Sequence, residues 1–99
     1  MKKIVLATTA LFAIMGAHAA DQATVDTYNK TCVICHGTGA AGAPKFAVAD
    51  EWAVRLEQGM PALVKAVDGG MGAMPPKGMC TTCTPEEFEK LITYMSTGK

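Results

Sequence analysis

The chain has 99 residues, of which 49% are hydrophobic and 18% charged, with nine basic and nine acidic side chains and a formal net charge of zero. That length supports one small domain. No basic run points to nucleic acid, and the longest apolar stretch, Ile4 to Met15, falls short of the about 20 residues that span a bilayer.

Lys2 and Lys3 stand before that stretch, and Ala17-His18-Ala19 places small residues after it. This is the order of a secretory leader. Cleavage after Ala19 is expected, leaving residues 20–99 as a single domain. Losing Lys2 and Lys3 makes the mature chain mildly acidic. No cysteine lies near the cleavage site, so a lipid anchor has no support. Export places the protein in the periplasm, where oxidised or covalently bound sulfur is stable.

The first helix is expected from Asp21 or Gln22 to Cys35, with Val25 and Tyr28 on an inward stripe. It ends in Cys32-Val33-Ile34-Cys35-His36, the attachment signature of c-type haem. Residues three and four apart share one helix face. The two thiols can therefore add to the porphyrin vinyl groups while His36 reaches the iron. Glycines 37, 39 and 42 then open a loop. Asp50 and Glu51 begin a short amphipathic segment through Gln58 that carries Trp52 and Leu56. Pro61 suits the first turn of another helix over 62–67, stopped by Gly69 and Gly70. From Met71 to Cys83 the chain is rich in Gly, Pro and Cys and reads as an irregular loop. Thr84 is a good N-cap, Pro85 fits the first helical position and Glu87 completes a capping box. Phe88, Leu91, Ile92 and Met95 form one apolar stripe behind it. No segment alternates with a period of two, so the fold class is all-α.

Once His18 leaves with the leader, His36 is the only histidine, and a second iron ligand must be a methionine. Met95 belongs to the apolar stripe, and Met60 precedes Pro61 at a helix start; both read as packing. The loop offers Met71, Met74 and Met79. Met74 is favoured because Pro75 and Pro76 follow it and restrict its backbone. A thioether opposite an imidazole raises the reduction potential.

Cys80-Thr81-Thr82-Cys83 repeats the CxxC spacing with Thr84 in place of a histidine, which argues against a second haem. Zinc would find only two of its four ligands here, and no βαβ pattern supports a thioredoxin-like pair. A disulfide is the favoured reading, since residues across such a turn lie within ~7 Å. So small a loop adds only about 2 kcal/mol on the chain-entropy model.

The chain resembles the class I c-type cytochromes, specifically the bacterial cytochrome c5 type. The residues that carry the likeness are the Cys32–His36 motif, Gly42-Ala43-Pro44, Trp52 with Arg55, Gly69-Gly70, Ala73-Met74-Pro75-Pro76-Lys77-Gly78 and the Cys80/Cys83 pair. The resemblance implies about four short helices around one covalent haem c, with the first and last helices crossing. It implies thioethers at Cys32 and Cys35, axial ligands His36 and Met74, and a Pro44 carbonyl that accepts the other ring N–H of His36. By the same analogy Trp52 and Arg55 contact a haem propionate; otherwise Trp52 is a core aromatic and Arg55 lies on a solvated helix face.

A six-coordinate His/Met iron has no open position for substrate. The reading is therefore a non-enzymatic electron carrier that docks briefly with redox proteins as donor and acceptor. Neither nucleic acid nor stable membrane insertion is expected, and the state is a monomer or weak dimer. The rival reading is a gas sensor or peroxidase-like enzyme in which Met74 dissociates; the lack of a distal histidine argues against it.

Overall fold

The structure, a computed structural model, describes residues 19–99, so the expected leader lies, apart from Ala19, outside the described residues. Among the described residues every regular element is helical, and pairing of extended backbone is limited to an isolated antiparallel bridge between Met71 and Met74. The all-α fold follows from the sequence pattern.

Asp21 caps α1 (Gln22–Thr27), its carboxylate accepting from the Thr24 backbone N–H at 2.8 Å and the Thr24 hydroxyl at 2.7 Å. α1 runs without a break into one π turn, Tyr28–Cys32, and then into α2 (Val33–His36). Within the π turn the Thr31 hydroxyl donates to the Thr27 carbonyl at 2.8 Å. Tyr28 is buried as expected, but Thr24 shares its face and Val25 is only half-buried. Residues four apart set this face, and Asp21 satisfies the Thr24 hydroxyl, which removes most of the penalty for burying it.

α3 (Ala49–Leu56) begins with Asp50 and Glu51, whose carboxylates suit a helix N-terminus. Trp52 is buried, while Leu56, four residues on at the end of α3, is 39% exposed. α4 (Met60–Gly69) has Pro61 in its first turn and buries Leu63; it extends past the expected 62–67 at both ends.

α5 (Pro85–Thr97) is the best-specified helix. Thr84 caps it, the hydroxyl oxygen accepting from the Glu87 N–H at 3.2 Å. The capping box is only half closed: Glu87 Oε1 accepts from that same hydroxyl at 3.3 Å. Phe88, Leu91, Ile92 and Met95 are all buried and form the core with Tyr28, Trp52, Leu63 and Cys83. Full burial of each large apolar side chain contributes about 1.5–3 kcal/mol.

α5 packs on both α1 and α4. An ion pair between Lys90 and Asp21, 3.2 Å apart, joins it to the start of α1. At the other end, the rings of Tyr28, Phe46 and Tyr94 meet in pairs with centroids 4.9 to 5.4 Å apart. The loop after α2 is thereby pinned to both terminal helices: Phe46 N–H donates to the His36 carbonyl, and Ala47 N–H to the Met95 carbonyl, each at 2.7 Å.

Candidate functional site

The end of the first helical run places Cys32, Cys35 and His36 one turn apart. Both thiols are free and half-buried, and His36 is buried. Burial pushes the Cys32 thiol up from its ordinary value, with the Thr31 hydroxyl at 3.3 Å working against that shift. The thiol is thus held neutral in a largely apolar setting. Tyr28 is raised as well, first by burial and then by the neighbouring Cys32 and Tyr94.

His36 is fixed by what surrounds it. Its Nδ1 lies 2.8 Å from the Pro44 carbonyl oxygen. A carbonyl only accepts, so Nδ1 carries a proton, and in the neutral ring Nε2 is the nitrogen that holds the lone pair. The Trp52 ring stacks beside the imidazole, with centroids 5.6 Å apart and planes at 26°. The Trp52 N–H donates to the Lys45 carbonyl at 2.8 Å. That single donor is engaged by the backbone, so what Trp52 contributes beside His36 is its ring and its hold on the 44–46 segment. Arg55 Nη1 donates to the Glu51 carbonyl at 2.6 Å and Nη2 to the Gly42 carbonyl at 3.5 Å, which leaves further guanidinium N–H groups unengaged.

The methionine loop is held at both ends of its four-residue bend: Met71 N–H donates to the Met74 carbonyl at 3.0 Å and Met74 N–H to the Met71 carbonyl at 2.9 Å. Of the three loop candidates, Met71 and Met79 are 58% and 66% exposed, whereas Met74 is half-buried. Two glycines frame Met74. Gly70 has φ +81, and a Cβ there would sit 2.9 Å from both the Met74 carbonyl oxygen and the Pro76 nitrogen. Gly78 has φ +56, and a Cβ there would sit 3.1 Å from the Met74 terminal methyl. The sequence marks these glycines as motif members; their role as walls around Met74 is seen only in three dimensions.

Beyond that loop Cys80 and Cys83 meet sulfur to sulfur across a turn, with Cα atoms 5.5 Å apart and Cys83 buried in the core. The residues present fit a covalent haem: two free thiols and an imidazole on one helix face, the imidazole tied through Nδ1 to the Pro44 carbonyl, and a framed thioether on a separate loop. Lys45 and Phe46 belong to the frame of this site and carry no sequence signal of their own, because each acts through a backbone atom.

Residues 19–95 match the family profile described as cytochrome C oxidase, cbb3-type, subunit III. The chain is 37% identical over 83 residues to cytochrome c5 of Ectopseudomonas mendocina, covering 82% of this chain and 91% of the relative. It is similar to the mono-haem ferrocytochrome c of Shewanella putrefaciens at 46% identity and TM-score 0.69, covering 84% of this chain and all of the other. It is also similar, at 38% identity and TM-score 0.70, to a chain in the crystal structure of the electron transfer complex of nitrite reductase with cytochrome c, covering 79% of this chain and 95% of the other. The profile names an oxidase subunit, but these three small proteins are matched over 91%, 100% and 95% of their own length.

Proposed function

Because the chain belongs to the class I c-type cytochromes, of the cytochrome c5 type, and holds one covalently attached haem c, we propose that it is a periplasmic carrier of single electrons whose iron is ligated by His36 and Met74. Bound haem supplies an iron that alternates between ferrous and ferric states. Cys32 and Cys35 provide the thioether links. The observation that carries the reading is the 2.8 Å contact from His36 Nδ1 to the Pro44 carbonyl. It makes Nε2 the donor and sharpens its basicity. If His36 and Met74 both held the iron, no coordination position would remain for substrate, which suits transfer of one electron rather than catalysis.

Arg55 keeps free N–H donors for a propionate, and Trp52 acts through its ring and its tie to Lys45. The 5.5 Å Cα separation of Cys80 and Cys83 supports a disulfide that stiffens the chain between the methionine loop and α5. Redox proteins are the partners, engaged through weak and brief encounters. The relative found with nitrite reductase supports that class of partner. Among the described residues no helix is long and apolar enough to cross a membrane. The leader over residues 1–19 is the route to the periplasm, and the mature protein is a monomer or weak dimer.

Absorption spectra of oxidised and dithionite-reduced protein test the reading. A c-type reduced α-band together with the near-infrared sulfur-to-iron band of the oxidised form is expected. Met74→Ala should abolish the sulfur band and leave the thioether-linked haem in place; survival of that band in the variant would remove Met74 from the iron.

A further inference from the structure

We propose that the ion pair between Asp68 and Lys77 is a latch that sets the position of Met74, with both acting as positioning residues for the sixth ligand; the inference rests on the ligation proposed above. Lys77 has φ +61, in the left-handed region that non-glycine residues avoid. Contacts of its side chain work against that cost. Its Nζ lies 2.9 Å from Asp68 Oδ1 on α4 and 5.9 Å from the centroid of the Phe88 ring on α5. One side chain thus fastens the turn Pro76–Met79 to two helices.

The path from this latch to Met74 is short. Gly78, the next residue, is also left-handed, and a Cβ on it would meet the Met74 terminal methyl at 3.1 Å, so only a glycine leaves room for that methyl. Gly78 N–H donates to the Pro75 carbonyl and Cys80 N–H to the Lys77 carbonyl, each at 2.9 Å, so the turn moves as one piece. The Met74 backbone is separately bridged to Met71. What the 76–79 turn controls is therefore the far end of the Met74 side chain, where the sulfur is. The ion pair is half exposed, with side-chain exposures of 38% and 59%. Exposed pairs add little to global stability, and the effect belongs to ligand exchange rather than unfolding.

The test is a titration of the ferric holoprotein with imidazole, followed by loss of the near-infrared sulfur band. The variants are Lys77→Gln, Asp68→Asn and the charge-reversed double Asp68→Lys/Lys77→Asp. Each single variant should bind imidazole about two- to fivefold more tightly, with a nearly unchanged denaturation midpoint. The double variant should return toward the parent affinity. Unchanged affinity in both single variants would overturn the latch. So would tighter binding that tracks a lowered midpoint and is not reversed in the double. A parent protein without the sulfur band would instead overturn the ligation itself, and the latch with it, before any variant is made.

Discussion

The backbone of Gly78 lies against the terminal methyl of Met74, so close that a Cβ at residue 78 would be 3.1 Å from it. The methyl is the free end of a flexible side chain and can give way, which would carry the sulfur with it. Gly70 stands on the other side, where a Cβ would meet backbone atoms at 2.9 Å that cannot yield cheaply. The two substitutions should therefore part company. Gly78→Ala should cost roughly 1–2 kcal/mol for its left-handed backbone and weaken or shift the near-infrared sulfur band. Gly70→Ala should lower the denaturation midpoint by more. Equal midpoints for the two, or an unaltered band in Gly78→Ala, would contradict this account of the walls.

Trp52 donates its N–H to the Lys45 carbonyl, and Lys45 follows the Pro44 whose own carbonyl holds His36. Trp52→Phe keeps an aromatic ring beside the imidazole but leaves that carbonyl only the Val48 N–H, 3.2 Å away, as its donor. The expected loss of stability is about 0.5–1.5 kcal/mol, readable from chemical denaturation of the holoprotein. A looser 44–46 segment also weakens the bond to Nδ1, which makes the imidazole a poorer electron donor to iron. The reduction potential should then rise. A stable variant with a lowered potential would show that Trp52 does not act through Pro44.

The start and inward face of α5 were readable from the sequence, because its cap, its first-position proline and its apolar stripe all agree, and Phe88, Leu91, Ile92 and Met95 are all buried. The helical setting of Cys32, Cys35 and His36 was readable from spacing alone. The π turn at Tyr28–Cys32 was not, since polar Asn29, Lys30 and Thr31 carry no apolar period that could register it. The left-handed conformations of Ala41, Ala47 and Lys77 leave no mark in the sequence either, because tertiary contacts rather than residue type impose them. The partner of the Trp52 N–H is a backbone carbonyl, and a carbonyl is present at every position. Sequence therefore named the groups suited to hold a haem, while the frame that orients them had to come from the fold.

Thr84 closes the start of α5 immediately after Cys83, and its hydroxyl serves two partners on Glu87, the backbone N–H and the carboxylate. Thr84→Ala removes both and should cost about 1 kcal/mol. Glu87→Gln leaves the backbone N–H bond intact and should cost much less, since the Glu87 side chain does not reach back to the Thr84 N–H as a full capping box would. Urea denaturation midpoints of the two variants decide this. A larger loss for Glu87→Gln would mean that the carboxylate, through the helix dipole or a closed box, is the stronger element.

Asp21 binds the two ends of the fold together in a way that pH should expose. Hydrogen bonds from the Thr24 hydroxyl and backbone N–H, and then the Lys90 ammonium, hold its carboxyl at about 2, down from 3.8. A carboxylate depressed in the folded state stabilises that state above its unfolded pKa and loses the contribution as pH falls through the folded value. The Asp21 contribution is thus complete above about pH 4–5 and fades between there and about pH 2. Asp21→Asn keeps an N-cap acceptor for Thr24 and removes only the charge. The stability difference between parent and variant should be flat near neutrality and shrink as the pH drops through that window. Lys90→Met should remove a smaller part of the pH dependence than Thr24→Val, because the Thr24 hydroxyl bond, which valine lacks, is the leading cause of the shift. Stability measured from pH 2 to 7 on the three variants separates the contributions, and a parent-minus-Asn difference that grows toward low pH would reverse the sign assigned to this cap.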